Sequence, residues 1–200
     1  MDNLFLNVND IFIEMINIQI DKENKNNIWN DSIYKDIIKL QCNNVGNVGE
    51  TFIQQICSYC NITSDINGLK TKGGGIGDGI INNKSVEIKT SYRGSIYPTF
   101  QHELGETPWK AEIILFIDIA PDCIYITIFN NFTEEFYKSG NKCIPYFPSK
   151  SITWRKGSGA FKLDTTIKIN EENIINGYTF KITKDVNVNE LKKFIISNIK

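Results

Sequence analysis

One stretch narrows the choices for this chain more than any other: Gly77-Asp78-Gly79-Ile80-Ile81-Asn82-Asn83-Lys84-Ser85-Val86-Glu87-Ile88-Lys89-Thr90-Ser91. Ile80-Ile81 ends one apolar run, and Ser85 to Thr90 forms a second in which Val86 and Ile88 alternate with polar residues. Asn82 and Asn83 stand between them and tolerate positive φ, so the stretch predicts a tight hairpin. A two-residue loop sets Ile81 against Lys84, and counting outward sets Asp78 against Glu87. Opposed residues share a sheet face, with Cβ atoms ~5 Å apart. Side chains alternate along a strand, so Lys89 lies on the face of Glu87. The register thus gathers two carboxylates and one ammonium at one place.

Like charges opposed across a sheet destabilise it unless something compensates. A divalent cation compensates well. Mg²⁺ takes carboxylate oxygens, keeps several waters, and is held by one or two protein carboxylates together with substrate phosphate. A neighbouring ammonium can orient an attacking water or offset charge in a phosphoryl transition state. These parts suit metal-assisted hydrolysis of a phosphodiester. A solvated hairpin with incidental charges is the competing reading of the pattern taken alone.

Upstream, the residues from Gly46 to Ile56 predict a helix entered through glycines. Phe52, Ile53 and Ile56 form its apolar stripe, and Glu50 falls in its first turn, where the helix dipole favours an anion. The segment Lys72-Gly73-Gly74-Gly75-Ile76-Gly77 is a loop that allows close backbone approach. A helix with a glutamate, then a hairpin with Asp and Glu-x-Lys, resembles the PD-(D/E)XK nuclease superfamily over residues 46–91. The resemblance implies an α/β (α+β) restriction-endonuclease-like fold, a central mixed β-sheet flanked by helices. It implies Asp78 and Glu87 as ligands of Mg²⁺ (or Mn²⁺), assisted by the Ile88 carbonyl. Lys89 corresponds to the catalytic lysine and Glu50 to the auxiliary acid. Gly77 stands where the family pattern has proline.

The function so implied is Mg²⁺-dependent cleavage of double-stranded DNA by a sequence-specific, type II restriction-like endonuclease. A two-fold homodimer would suit a palindromic site, and a cognate methyltransferase would act on the same DNA site. A junction resolvase or repair endonuclease of the same fold stays open, as does a non-catalytic DNA-binding module. The chain has one histidine, His102, too few for paired-histidine phosphodiesterase chemistry. No Gly-x-Ser-x-Gly turn is present, and the glycines before Asp78 lack the Lys-Ser/Thr of a phosphate-binding loop.

The net charge of −1 does not by itself announce a nucleic-acid protein. Its distribution says more. From Phe136 to Leu163 there is no acidic residue, while Lys138, Lys142, Lys150, Arg155, Lys156 and Lys162 are basic. Lys150, Trp154, Arg155, Lys156 and Lys162 are therefore candidate DNA contacts, as are Arg93, Gln101 and His102 after the hairpin. For His102 a satisfied structural role is the competing reading; Tyr92 and Lys110 are weaker candidates for the same surface.

Two hundred residues suffice for one core, so a single domain is expected. Residues 1–45 form its helical N-terminal part, 46–130 the catalytic core, and 131–200 a basic DNA-contacting region with a C-terminal helix. Helical patterns run over 3–20 and 28–41, the second with Asp31 and Ser32 as capping candidates. Residues 91–108 read as loop-rich. Ile113–Ile119 and Ile124–Phe129 are apolar strands about a Pro121-Asp122 turn, and Asn189–Ile199 is a helix covering the sheet. Isoleucine (35) and asparagine (24) are heavily used, which an AT-rich coding genome explains, so single asparagines carry little weight. Five cysteines without framework spacing, Cys57-x-x-Cys60 among them, read as core residues. No transmembrane run or signal-like segment is visible, so a soluble, cytoplasmic protein is expected.

Overall fold

Ile113 to Ile119 is an apolar run interrupted only by Asp118, and as strand β5 it is buried at every position. A strand buried on both faces must lie inside a layered structure. A computed structural model describes the layers through residues 8–25, 27–66, 76–95, 97–103, 111–130, 152–155 and 160–200. The strands are β1 (Ser64–Ile66), β2 (Gly79–Ile81), β3 (Lys84–Tyr92), β4 (Thr99–Glu103), β5 (Ile113–Ile119), β6 (Ile124–Asn130), β7 (Ile152–Arg155), β8 (Ala160–Thr166) and β9 (Thr179–Ile182). The helices are α1 (Val8–Lys25), α2 (Cys42–Tyr59), α3 (Ile167–Ile175) and α4 (Val188–Asn198), with a 3₁₀ turn over Lys35–Lys39.

The central sheet has the order β1-β2-β3-β5-β6-β9. Its β3–β5 pair is parallel and the others antiparallel, so the sheet is mixed, as expected. Parallel register sets Ile88 beside Leu115, but Glu87 beside Ile114 and Lys89 beside Phe116. Strand alternation therefore divides β3. Val86 and Ile88 join a core with Ile53 and Cys57 of α2 and Leu191 and Ile195 of α4. Glu87, Lys89 and Ser91 point to the other face, which is covered by α3 and by a second sheet of order β4-β8-β7.

Two further helices are set by their caps. The Thr166 hydroxyl accepts from the Ile169 N–H (3.2 Å) at the start of α3, and Asn187 Oδ1 accepts from the Asn189 N–H (2.8 Å) at the start of α4. The β5–β6 pair and the C-terminal helix match the sequence pattern. Three expectations need correction. The first helix, described over Val8–Lys25, runs on past residue 20, while residues 3–7 of the expected span lie outside the described residues. The helical pattern over 28–41 gives only the 3₁₀ turn, because its residues are tied individually to the sheet. The Trp29 indole donates to the Arg93 carbonyl (3.2 Å), and the Ser32 hydroxyl donates to the Pro121 carbonyl (2.6 Å). Ser32 also accepts from the Tyr34 N–H (2.9 Å), so its capping role is met by a turn. Finally, the loop-rich reading of 91–108 misses β4, where Phe100 and His102 turn inward and Gln101 and Glu103 outward. Among the described residues no helix is long and apolar enough to cross a membrane.

Candidate active site

The hairpin forms as its sequence dictates. Asn82 (φ 49°) and Asn83 (φ 63°) both take positive φ, the signature of a two-residue loop whose twist matches the strands. Ile81 pairs with Lys84, Ile80 with Ser85 and Gly79 with Val86, the register counted from the sequence. At Asp78 the regular count ends. Its N–H donates to the Val86 carbonyl (2.8 Å), so Asp78 and Gly79 both meet Val86, the two-against-one arrangement of a bulge. Bulges re-aim side chains, and the Asp78 carboxylate turns toward the neighbouring strand, where Oδ2 accepts from the Ile88 N–H (2.7 Å). A strand residue directs its N–H and C=O to the same edge, so the Ile88 carbonyl faces the Asp78 side as well.

Gly77 makes this turn possible. Its φ is +112°, and a Cβ placed there would lie 2.4 Å from the Val86 carbonyl oxygen. Proline, fixed near φ −65°, does not fit this conformation.

On the next strand the Lys89 ammonium donates to Glu87 Oε1. The Glu87 side chain is only 13% exposed and that of Lys89 27%. Burial pushes the Glu87 carboxyl above its ordinary range, the Asp78 and Glu50 charges push the same way, and Lys89 pulls against them. Four of the residues picked from the sequence therefore act on one another here: Asp78, Glu87, Lys89 and, more weakly, Glu50.

Glu50 reaches this neighbourhood by a different route from the one the sequence suggests. α2 starts at Cys42, no acid lies in its first turn, and Glu50 sits midway along it, so the helix dipole does not favour its charge. The glycines are interior rather than entry residues. Gly49 is where α2 presses on the sheet: a Cβ there would lie 1.8 Å from Thr90 Oγ1 and 3.0 Å from Ile117 Cδ1. The missing side chain lets the helix sit close to β3, and the next residue is Glu50.

The outlying candidates divide. His102 is buried, 2% exposed, and its Nε2 hydrogen-bonds Asp118 Oδ1 at 2.6 Å. The other Asp118 oxygen accepts from the Asn170 amide (2.7 Å). His102 is therefore a buried structural histidine, bonded through Nε2 with Nδ1 left without a hydrogen-bond partner, and not a DNA contact, because strand alternation turns it inward beside Phe116. Gln101 is exposed, and its N–H donates to Ser91 Oγ (3.1 Å), joining β4 to the strand that bears Glu87 and Lys89. Arg93 is half-buried directly after β3, its N–H donating to the Ile119 carbonyl (2.9 Å). Trp154 and Arg155 belong to β7 and Lys162 to β8, the strands paired with β4 in the second sheet. Lys110, Lys150 and Lys156 lie outside the described residues. Cys57 and Cys60 are buried, and burial pushes the Cys57 thiol up to about 11, as suits an unreactive core residue. Sequence reasoning missed Ser91, Asp118 and the packing role of Gly49. Only Asp118 left a signal, as an acid inside an otherwise apolar strand.

No family model, curated protein or solved structure matches this chain. What its residues could hold follows from their chemistry. A half-buried Asp oriented by a backbone N–H and a largely buried Glu, its proton retained more strongly by burial and nearby acids, form a hard oxygen set with the Lys89 ammonium beside it. Such a set fits Mg²⁺ or Mn²⁺. Among the described residues no group of three or more His, Cys, Asp or Glu side chains is gathered to enclose a metal.

Proposed function

We propose that this chain is a Mg²⁺-dependent endonuclease of restriction-endonuclease-like fold that hydrolyses phosphodiester bonds in double-stranded DNA at specific sequences. The observation that carries the reading is the placement of Asp78, clasped by the Ile88 N–H, beside the part-buried Glu87–Lys89 ion pair on the adjoining strand. Asp78, Glu87 and the Ile88 carbonyl would hold the cation, with Glu50 close enough to add charge. When bound, Mg²⁺ lowers the pKa of a coordinated water and neutralises phosphate charge. Lys89 supplies a fixed positive group beside the reacting phosphate and can orient the attacking water. The hydrogen bond from Ile88 fixes the Asp78 carboxylate before substrate arrives, so that little ordering is left for the reaction step. Gln101, Arg93 and the β7–β8 strands are the DNA-facing candidates, and a two-fold homodimer would present one site to each strand.

The test is digestion of a long, mixed-sequence DNA with Mg²⁺, using wild type, Lys89→Ala and an EDTA control. Discrete fragments that vanish in the variant and in EDTA support site-specific cleavage. A smear with the same dependence keeps the hydrolysis and removes the sequence specificity. Cleavage of branched DNA alone favours the resolvase. No cleavage of either substrate by folded wild type removes the enzymatic reading.

A further inference from the structure

The 3₁₀ turn and α2 leave a hollow above the central sheet. Ile37 and Leu40 of the turn, Val48 and Phe52 of α2, and Ile117 and Ile119 of β5 surround an open cavity of about 360 Å³. In a 3₁₀ turn residues i and i+3 eclipse, and on an α-helix i and i+4 share a face, so each element turns an apolar row inward. Exposure gives the depth. Ile117 (2%) and Ile119 (5%) belong to the buried sheet and form the floor, whereas Leu40 (36%) and Val48 (43%) stand at the mouth.

Size and charge select what such a hollow can take. Its volume falls in the range of ~300–1,000 Å³ usual for small-molecule sites. The lining open to solvent is far smaller than the ~800 Å² that a protein partner commonly covers, so a macromolecule finds too little surface. Among the described residues of the lining Asp36 alone is charged, and its carboxylate is paired with Lys39 at 2.6 Å. An anionic ligand therefore meets no free counter-charge there, and losing water without one is costly. Water itself gains few hydrogen bonds from apolar walls and is displaced readily by an apolar group. The uncharged polar members of the lining are Tyr34 and Thr90, and the Thr90 hydroxyl has no hydrogen-bond partner.

We infer that this cavity is a binding site for an uncharged, apolar small molecule, a ring or branched chain of roughly 10–20 non-hydrogen atoms with one hydroxyl or carbonyl group. Its apolar body covers Ile37, Phe52 and Ile117, and its polar group meets Tyr34 or Thr90. The floor belongs to the sheet face that carries Ile88, opposite the face of Glu87 and Lys89, so the site is separate from the candidate active site. It stands independently of the nuclease reading.

Titration of the full chain with 2-naphthol, followed through the isoleucine methyl signals by NMR, tests it. Saturable binding to one site with Kd below ~1 mM is expected, with shifts at Ile37, Ile117 and Ile124. V48E places a charge at the exposed mouth, and V48W fills it. Both are expected to keep the wild-type circular dichroism and to weaken 2-naphthol by at least ~10-fold. F12E, on the exposed helix α1, is expected to bind as wild type does. 2-Naphthoate, the same ring with a carboxylate, is expected to bind at least ~10-fold more weakly. Absence of saturable 2-naphthol binding overturns the proposal. So do shifts confined to the isoleucines of α1, wild-type affinity in both Val48 variants, or equal affinity for 2-naphthoate.

Discussion

Two glycines three residues apart in α2 should respond to alanine with opposite signs. In an exposed helix interior, alanine in place of glycine stabilises by ~1 kcal/mol, because it limits the unfolded chain. Gly46 is such a place, with nothing within 4 Å of an added Cβ. Gly49 has the same propensity to gain but no room, since its Cβ would sit 1.8 Å from Thr90 Oγ1 and 3.0 Å from Ile117 Cδ1. Thr90 is β-branched, so turning χ1 frees the space only if hydrogen takes it. Overpacking of this kind costs ~1–3 kcal/mol. Comparing the two variants cancels the shared helix gain and leaves that cost as the gap between them. For a chain of this size ~1 kcal/mol moves Tm by about 2–4 °C, so Gly49→Ala should melt about 2–12 °C below Gly46→Ala. In a Thr90→Ala background the gap should shrink, because Oγ1 is gone, but not close, because Cβ of residue 90 remains 3.0 Å away. The measurement is thermal unfolding followed by circular dichroism for all four chains. If Gly49→Ala stabilises as much as Gly46→Ala, α2 does not seat on β3 through that glycine, and the placement of Glu50 loses its basis.

The remaining expectations concern charge, burial and backbone. The Glu87 carboxyl is raised in the folded protein, chiefly by burial, so its contribution is fully favourable below the unfolded value of ~4.3 and is lost as pH rises through the higher folded value. Wild type should therefore lose stability relative to Glu87→Gln over that window; melting curves from pH 4 to pH 8 that run parallel would contradict this. His102→Ala removes a buried partner of Asp118 and should cost ~3 kcal/mol, about 6–12 °C in Tm, while Gln101→Ala on the outer face stays within ~0.5 kcal/mol. Equal melting temperatures for the two would place His102 at the surface. Gly77→Pro should destabilise by more than ~1 kcal/mol because φ here is +112°. A denaturant midpoint equal to wild type would show that the bulge at Asp78 does not depend on that conformation.

What could be read from the sequence was local. Asn82-Asn83 sets the hairpin register because a two-residue loop leaves one choice, and Glu87 and Lys89 share a face because strand periodicity is two. The β5–β6 pair was legible for a similar reason, being two apolar runs about a proline-containing turn. The errors arose where distant contacts override local preference. Gly46 and Gly49 look like helix breakers, yet both lie inside α2, and at Gly49 packing against Thr90 favours a residue without a side chain. The isoleucines of 28–41 suggest a helix, but Trp29 and Ser32 are held by backbone carbonyls 64 and 89 residues away. The alternation around Phe100 was too short to mark β4, so the burial of His102 was hidden. The bulge that turns Asp78 toward Ile88 leaves no trace in composition or period.

The most direct measurement is end-group analysis of a labelled DNA duplex incubated with Mg²⁺ and wild type, Asp78→Asn, Glu87→Gln or Lys89→Ala. In-line attack by water with departure of the 3′ oxygen leaves 5′-phosphate and 3′-hydroxyl ends. Wild type should produce those ends only with Mg²⁺ or Mn²⁺, and each folded variant should produce them at least ~100-fold more slowly. Cleavage that persists unchanged in Asp78→Asn or in EDTA would show that these carboxylates are not its metal site. A folded wild type that leaves the duplex intact would show that the hairpin is a structural element without this chemistry.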